Sequence, residues 1–384
     1  MSPVARAARA CHAGAPRGAE AGYSLIELLV STAIMITITG SIFALVNPSQ
    51  GTSQTQPEVA DLQQRMRVGS EVLFKELMMA GAGPYQGPVR GALVNFFAPI
   101  LPRRTGRVSP DQFDTVRTDT ITLSYIPNTY SQTTISQAMP NVSSEMKVSS
   151  QVNCPAGDPL CGFSEGMDVI IFDIAGNFDN FTITEVQTDA LHLQHRGQDF
   201  IVSYEQGSSV TQIETNTYYW CRPNSDRPCP GDATASQLRQ YDGFTTDLPI
   251  VDNVVDARFE YFGDPQPPTK PEPPAGVANC LYDASGNYLG MPVLNATEGS
   301  LAPLPPEILK DGPWCGGGSN QFDADLLRVR KIRVTLRMQV ANPSLRGANP
   351  VLFVNPGKAA DSARQVSDYT TRFEVTPRNL NLTR

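Results

Sequence analysis

Nineteen consecutive residues from Leu28 to Val46, "LLVSTAIMITITGSIFALV", carry no charge. At about 1.5 Å of rise per helical residue they reach roughly 28 Å, close to the hydrocarbon thickness of a bilayer. No other feature constrains the chain as much. It reads as one membrane-spanning helix over residues 23–46, and any water-soluble domain must follow it. Glu27 stands at the start of this run, where a carboxylate is costly unless something pairs with it.

The preceding segment, residues 1–22, carries Arg6, Arg9 and Arg17 against a single acid, Glu20, and is rich in Ala and Gly, as targeting leaders are. A secretory signal places its apolar stretch before a small-residue cleavage site. Here the only plausible small-residue junction, Gly22-Tyr23, comes before the apolar run. The positive-inside rule keeps the arginine-bearing leader in the cytoplasm, so everything after Val46 is expected on the other side of the membrane.

Gly22 followed by Tyr23-Ser24-Leu25-Ile26-Glu27-Leu28-Leu29-Val30 resembles the class III signal of type IV pilins and of the related pseudopilins of type II secretion. The resemblance implies that a prepilin peptidase cuts after Gly22 and methylates the new amino terminus at Tyr23. It also implies that Glu27 is the assembly glutamate. Tyr23 replaces the Phe or Met usual at that position. Cutting there would create a cationic amine about one helical turn from Glu27, a partner for the carboxylate on its own helix or a neighbouring one.

The chain has 30 basic and 38 acidic residues and a net charge of −8; without the leader it stands at −10. That balance argues against a general nucleic-acid binder. Beyond Cys11 in the leader, six cysteines remain: Cys154, Cys161, Cys221, Cys229, Cys280 and Cys315. An even set in an oxidising compartment reads as disulfides. Fifteen pairings are possible. The nearest-neighbour set, 154 with 161, 221 with 229 and 280 with 315, is favoured because short loops close easily. The C-x-x-C-like spacing of a zinc site is missing.

After the span, Pro48, Gly51 and Pro57 in "NPSQGTSQTQP" predict a flexible joint over residues 47–57. Val59, Leu62, Met66, Leu73 and Leu77 then recur at helical spacing, so an amphipathic helix is expected over 58–81, stopped by Gly81 and Gly83. From about Thr118 the period changes to two. Strands are expected at 119–125, 167–173, 181–186, 190–193, 216–220, 254–262 and 330–340. In the last, Ile332, Val334, Leu336, Met338 and Val340 face one way, and Lys331, Arg333, Thr335, Arg337 and Gln339 the other. No helices separate the strands, so the class is α+β, with the helix packed on a mainly antiparallel sheet in an extracytoplasmic domain over 82–384. A proline-rich insertion, 263–319, is expected to be pinned by Cys280 and Cys315.

A second, softer resemblance joins "QLRQYDGFTTDLPIVDNVVDARFEYFGD", "LLRVRKIRVTLRMQV" and "FEVTPRNLNLTR" to large minor pilins of the PilW type and to the J-type minor pseudopilins, with Arg378 and Asn379 as the matching ending. An enzyme is not expected. Gly162-Phe163-Ser164-Glu165-Gly166 fits G-x-S-x-G but precedes a strand, where a nucleophile elbow follows one. His192 and His195 are three apart in a strand-like segment and should face opposite ways. The strip Arg328, Arg330, Lys331, Arg333 and Arg337 reads as a solvated sheet face rather than a DNA-binding surface. The loops Asp173–Asn180 and Tyr282–Gly290 lack EF-hand spacing and read as Asx turns, leaving calcium as the one conceivable cofactor.

What these readings imply together is a minor type IV pilin that primes a pilus or caps its tip. Its expected partners are a prepilin peptidase, other minor and major pilins and the inner-membrane assembly platform; nucleic acid is not among them. It would sit as a single-pass protein of the inner membrane before assembly and in an extracellular pilus afterwards. The alternatives are a minor pseudopilin of a type II secretion system and a pilus-borne or membrane-anchored adhesin.

Overall fold

A computed structural model describes residues 22–85, 91–151, 154–223, 225, 228–231, 233–359 and 364–382. Residues 1–21 of the expected leader, Cys11 among them, lie outside the described residues. The chain divides into two compact units, Met1–Gln54 and Thr55–Arg384.

The helix α1 spans Leu25–Met79. Helical backbone continues through 47–57, so the interruption expected there is not a break in secondary structure. Each proline removes one N–H from the ladder while the neighbouring bonds can persist. The boundary between the two units nevertheless falls within this stretch.

In the second unit, the apolar stripe of α1 is buried from Leu62 onward, with Leu62, Met66, Leu73 and Leu77 in the core, while Val59 at its start is half-buried. At Gly69 an added Cβ would lie 3.3 Å from the side chains of both Met338 and Val251, so the helix runs close to the strands there. The helix stops because Gly81 turns to a φ of +76°, a conformation that glycine adopts without a Cβ penalty.

That stripe shares one core with two antiparallel sheets. The first has five strands in the order Ile100–Leu101, Thr120–Tyr125, Glu214–Cys221, Gln237–Tyr241, Asp247–Asp252. The second has four, in the order Ala302–Leu304, Val254–Gly263, Val329–Met338, Tyr369–Val375. Along Val329–Met338 the expected alternation holds: Ile332, Val334, Leu336 and Met338 are buried, while Lys331, Arg333, Thr335 and Arg337 are half-buried on the other face. The strand ends two residues earlier than its pattern predicts, and Gln339, expected outside, is buried. The class is α+β, and every strand ladder among the described residues is antiparallel.

Between Tyr125 and Glu214, which face each other in neighbouring strands, the chain leaves the first sheet and returns to it. The excursion builds a four-stranded sheet (Gln132–Thr134, Ser209–Gln212, Asp168–Phe172, Phe178–Thr182) and a three-stranded one (Met146–Lys147, His192–Gln194, Glu185–Gln187). These enclose a second core that includes Val169, Ile171, Phe181, Leu193 and Val210. Asp168–Phe172 serves both cores, because Ile170 and Phe172 belong to the main one. The single strand expected over 181–186 is the end of one strand and the start of another.

The three disulfides are Cys154–Cys161, Cys221–Cys229 and Cys280–Cys315, the nearest-neighbour set. The last pins the 263–319 insertion, whose Ala302–Leu304 also forms the edge strand beside Tyr261–Gly263.

Candidate functional site at the helix entry

The first turn of α1 is built by a four-residue motif, Ser24-Leu25-Ile26-Glu27. The Ser24 amide donates to Glu27 Oε2 at 2.9 Å, and the Glu27 amide donates to Ser24 Oγ at 3.2 Å. This is a capping box, in which two of the otherwise unpaired amides at a helix start are satisfied reciprocally. Sequence reasoning looked for the partner of Glu27 in a new amine at Tyr23 and passed over Ser24, although S-x-x-E before an apolar run is the signature of such a cap. Among the described residues Ser24 alone donates to the carboxylate, and only Oε2 is engaged.

Leu25–Leu45 follows, 21 residues long and apolar enough to cross a membrane, with no part of it buried by the rest of the protein. Four of its hydroxyls are accommodated along the helix. Ser31 donates to the Glu27 carbonyl at 2.7 Å, Thr32 to Leu29 at 3.0 Å, Thr37 to Ile34 at 2.8 Å and Ser41 to Thr37 at 2.8 Å. Such back-bonding removes the cost of placing a hydroxyl in an apolar medium. Gly22 and Tyr23 precede the helix in exposed chain outside any helix or strand. Nothing lies within 4 Å of where a Cβ on Gly22 would stand, so the fold itself does not require glycine at that position.

The far end of α1 is closed by the chain terminus. Asn379 Nδ2 donates to the carbonyls of Met79 and Ala80 at 3.3 and 3.4 Å, two of the acceptors a helix end leaves open. Leu380 is buried against Gly81. The Arg378-Asn379 ending singled out in the sequence thus contributes a helix cap through its asparagine.

Ser164 is exposed on the turn before Asp168–Phe172, and no hydrogen bond joins it to a histidine among the described residues. His192 Nδ1 is 3.0 Å from Glu145 Oε1. The ring nitrogens of His195 lie 2.6 and 2.7 Å from the carbonyl oxygens of Gln198 and Ser144, and its ring stacks on Phe200. Asp173 and Asp283 form matching Asx turns: each accepts two backbone amides on Oδ1 and the Nδ2 of Asn177 or Asn287 on Oδ2.

The basic strip is not a solvated face throughout. Arg328 is fully buried, its guanidinium donating to the carbonyls of Pro265 at 3.0 Å and Pro292 at 2.8 Å, with Nε 2.7 Å from Asp325 Oδ1. It ties the two arms of the insertion to the strand that follows. Arg330 pairs with Asp264, Lys331 and Arg333 with Glu374, and Arg337 with Asp368, all at 2.6 to 3.1 Å. Asp325 shares a tight cluster with Asp323 and Asp311. Both oxygens of Asp323 accept backbone amides, from Asp325 and Gly312. Burial, with these two neighbouring acids, pushes the Asp325 carboxyl up to about 7, against the opposing pull of Arg328.

Compared with known protein families, curated proteins and solved structures, the chain matches none.

Proposed function

We propose that this chain is a minor type IV pilin. Its leader is removed after Gly22 by a prepilin peptidase, Tyr23 becomes the N-methylated terminus, and Leu25–Leu45 holds the subunit in the inner membrane with the β-rich domain outside the cytoplasm. From there it is drawn into a pilus, which it primes or caps. The observation that carries the reading is the helix entry: a cationic leader, an unencumbered Gly22, and Glu27 placed in the first turn of a span-length helix.

The geometry of the cap supports two successive states of Glu27. In the chain as made, Oε2 is held by the Ser24 amide. Hydrolysis of the Gly22–Tyr23 bond leaves that amide in place and adds a charged amine one residue before it, so the carboxylate keeps its cap and gains a counter-charge. A second subunit's amine could be met the same way, since one oxygen is engaged and the other is open. The role is structural, with no catalytic step assigned to the domain. Its two cores and its disulfide-pinned insertion make it bulky for stacking along a thin fibre, which supports a place at the tip.

Mass spectrometry of the mature amino terminus tests this directly. Cells with a prepilin peptidase should yield a chain beginning at N-methylated Tyr23, and cells lacking it should yield the intact leader. An intact leader in both would overturn the proposal.

A further inference from the structure

After Val329–Met338 the chain forms a closed loop whose neck is zipped by three backbone bonds, Gly357 to Gly347, Lys358 to Pro343 and Ala359 to Arg346, at 2.9 to 3.1 Å. Phe353 is fully buried beneath it, in contact range of Gly347. Around that anchor the tip turns its aliphatic side chains outward: Val351 is 77% exposed, Leu352 44% and Val354 43%. Asp368 ties the tip to the adjoining strand, its amide donating to the Leu352 carbonyl at 3.0 Å and its carboxylate accepting the Val354 amide at 2.8 Å. This sets exposed Tyr369 beside the tip. Lys358 is exposed at the neck.

A loop held this firmly to present apolar side chains to water marks an interaction surface. Its composition, aliphatic residues with a tyrosine and a lysine at the margin, is that of a membrane–water interface. Chain connectivity says which surface is near. Asn355 bonds to Gln339, Gln339 to the carbonyl of Asn253, and Arg65 of α1 to the carbonyl of the adjacent Asp252. Glu58 lies within electrostatic reach of Arg346 at the loop's neck. Glu58 is 13 residues beyond Leu45, the end of the span-length segment. That is about 20 Å of helix, and no more than roughly 45 Å of fully extended chain. A patch on so short a tether meets the bilayer at high effective concentration.

We propose that the Val351–Val354 tip, with Tyr369, is a second contact with the lipid surface, resting in the headgroup region while the subunit awaits assembly. The inference rests on the membrane anchoring of Leu25–Leu45 and adds to it a specific resting contact that extraction from the membrane would have to break.

The test uses the full chain in a Cys11→Ser background, reconstituted in phosphatidylethanolamine–phosphatidylglycerol vesicles with and without spin-labelled lipid, the nitroxide lying near the headgroup for the labels at 352 and 289 and deep in the acyl chain for the label at 36. An environment-sensitive nitrobenzoxadiazole label is placed at Leu352→Cys, at Leu289→Cys on the insertion, and at Ile36→Cys within the apolar helix. Leu289 is 55% exposed and serves as the control on another loop. The label at 352 is expected to lose at least about half its fluorescence to the spin-labelled lipid, as an interfacially buried side chain would, and the label at 289 to lose none. Quenching at 36 without quenching at 352 would overturn the loop contact while leaving the anchor standing. Protection of the label at 352 only on adding further pilus subunits would overturn it in favour of a protein partner. Absence of quenching at 36 would remove the anchoring reading and the loop contact together.

Discussion

Ser24 and Glu27 hold each other across the first turn of α1, amide to carboxylate at 2.9 Å and amide to hydroxyl at 3.2 Å. A carboxylate at the edge of an apolar helix therefore has a local reason to be there: it completes the cap that lets the helix begin at Leu25. Its charge and its acceptor geometry are separable properties. Capping needs an oxygen at that position, whereas pairing with an amine needs the negative charge.

Glu27→Gln separates them, since glutamine also serves in capping boxes. First-turn amides of the variant, followed by hydrogen exchange in micelles, should exchange within about twofold of the unmodified chain. Processing should be normal, while recovery in sheared pili should fall about tenfold or more, because a buried amine would lose its counter-charge. Full incorporation of the variant would assign Glu27 to capping alone.

Gly22→Ala asks where the demand for glycine comes from. A Cβ there meets nothing within 4 Å, so folding and thermal stability should be unchanged. Loss of cleavage, read as retention of the leader in the mass spectrum, would place the steric demand in the peptidase. Normal cleavage would remove Gly22 from the processing determinants.

Asn379→Ala tests the other end of the helix. Removing two hydrogen bonds, to the carbonyls of exposed Met79 and buried Ala80, should cost about 1 to 2 kcal/mol. For a domain of this size that is a fall of about 2 °C in the thermal midpoint, measurable by near-ultraviolet circular dichroism. Leader cleavage should be unaffected, since the substitution is at the opposite end of the helix from Gly22.

Features that report a single environment were legible in the sequence. Val329–Met338 alternates because one face meets the core and the other carries ion pairs, and the buried stripe of α1 shows at its helical spacing. The second core did not announce itself, for a physical reason. Asp168–Phe172 is covered on both faces, so "VIIF" reads as one apolar run without saying that two cores share it. Its partners Ser209–Gln212 and Phe178–Thr182 are short or mixed in polarity, too brief for a period to show. Tyr369–Val375 is an edge strand with little burial and hence little pattern. Arg328 was hidden among neighbouring cations, and its burial depends on carbonyls of Pro265 and Pro292, 63 and 36 residues away.

The buried acids set the direction of the domain's pH dependence. Burial raises the carboxyls of Asp179, Glu214, Asp323 and Asp368, and Asp325 is raised from 3.8 to about 7. A carboxyl raised on folding binds its proton more tightly in the folded state, so its contribution to stability is full below the unfolded pKa near 4 and is lost as pH climbs through the folded value. The urea midpoint of the disulfide-intact chain should therefore fall between pH 5 and pH 7.5. Asp325→Asn should flatten that slope, because the group that titrates near 7 is gone. A midpoint that rises with pH over this range, or an unchanged slope in the variant, would contradict the assignment of this titration to Asp325.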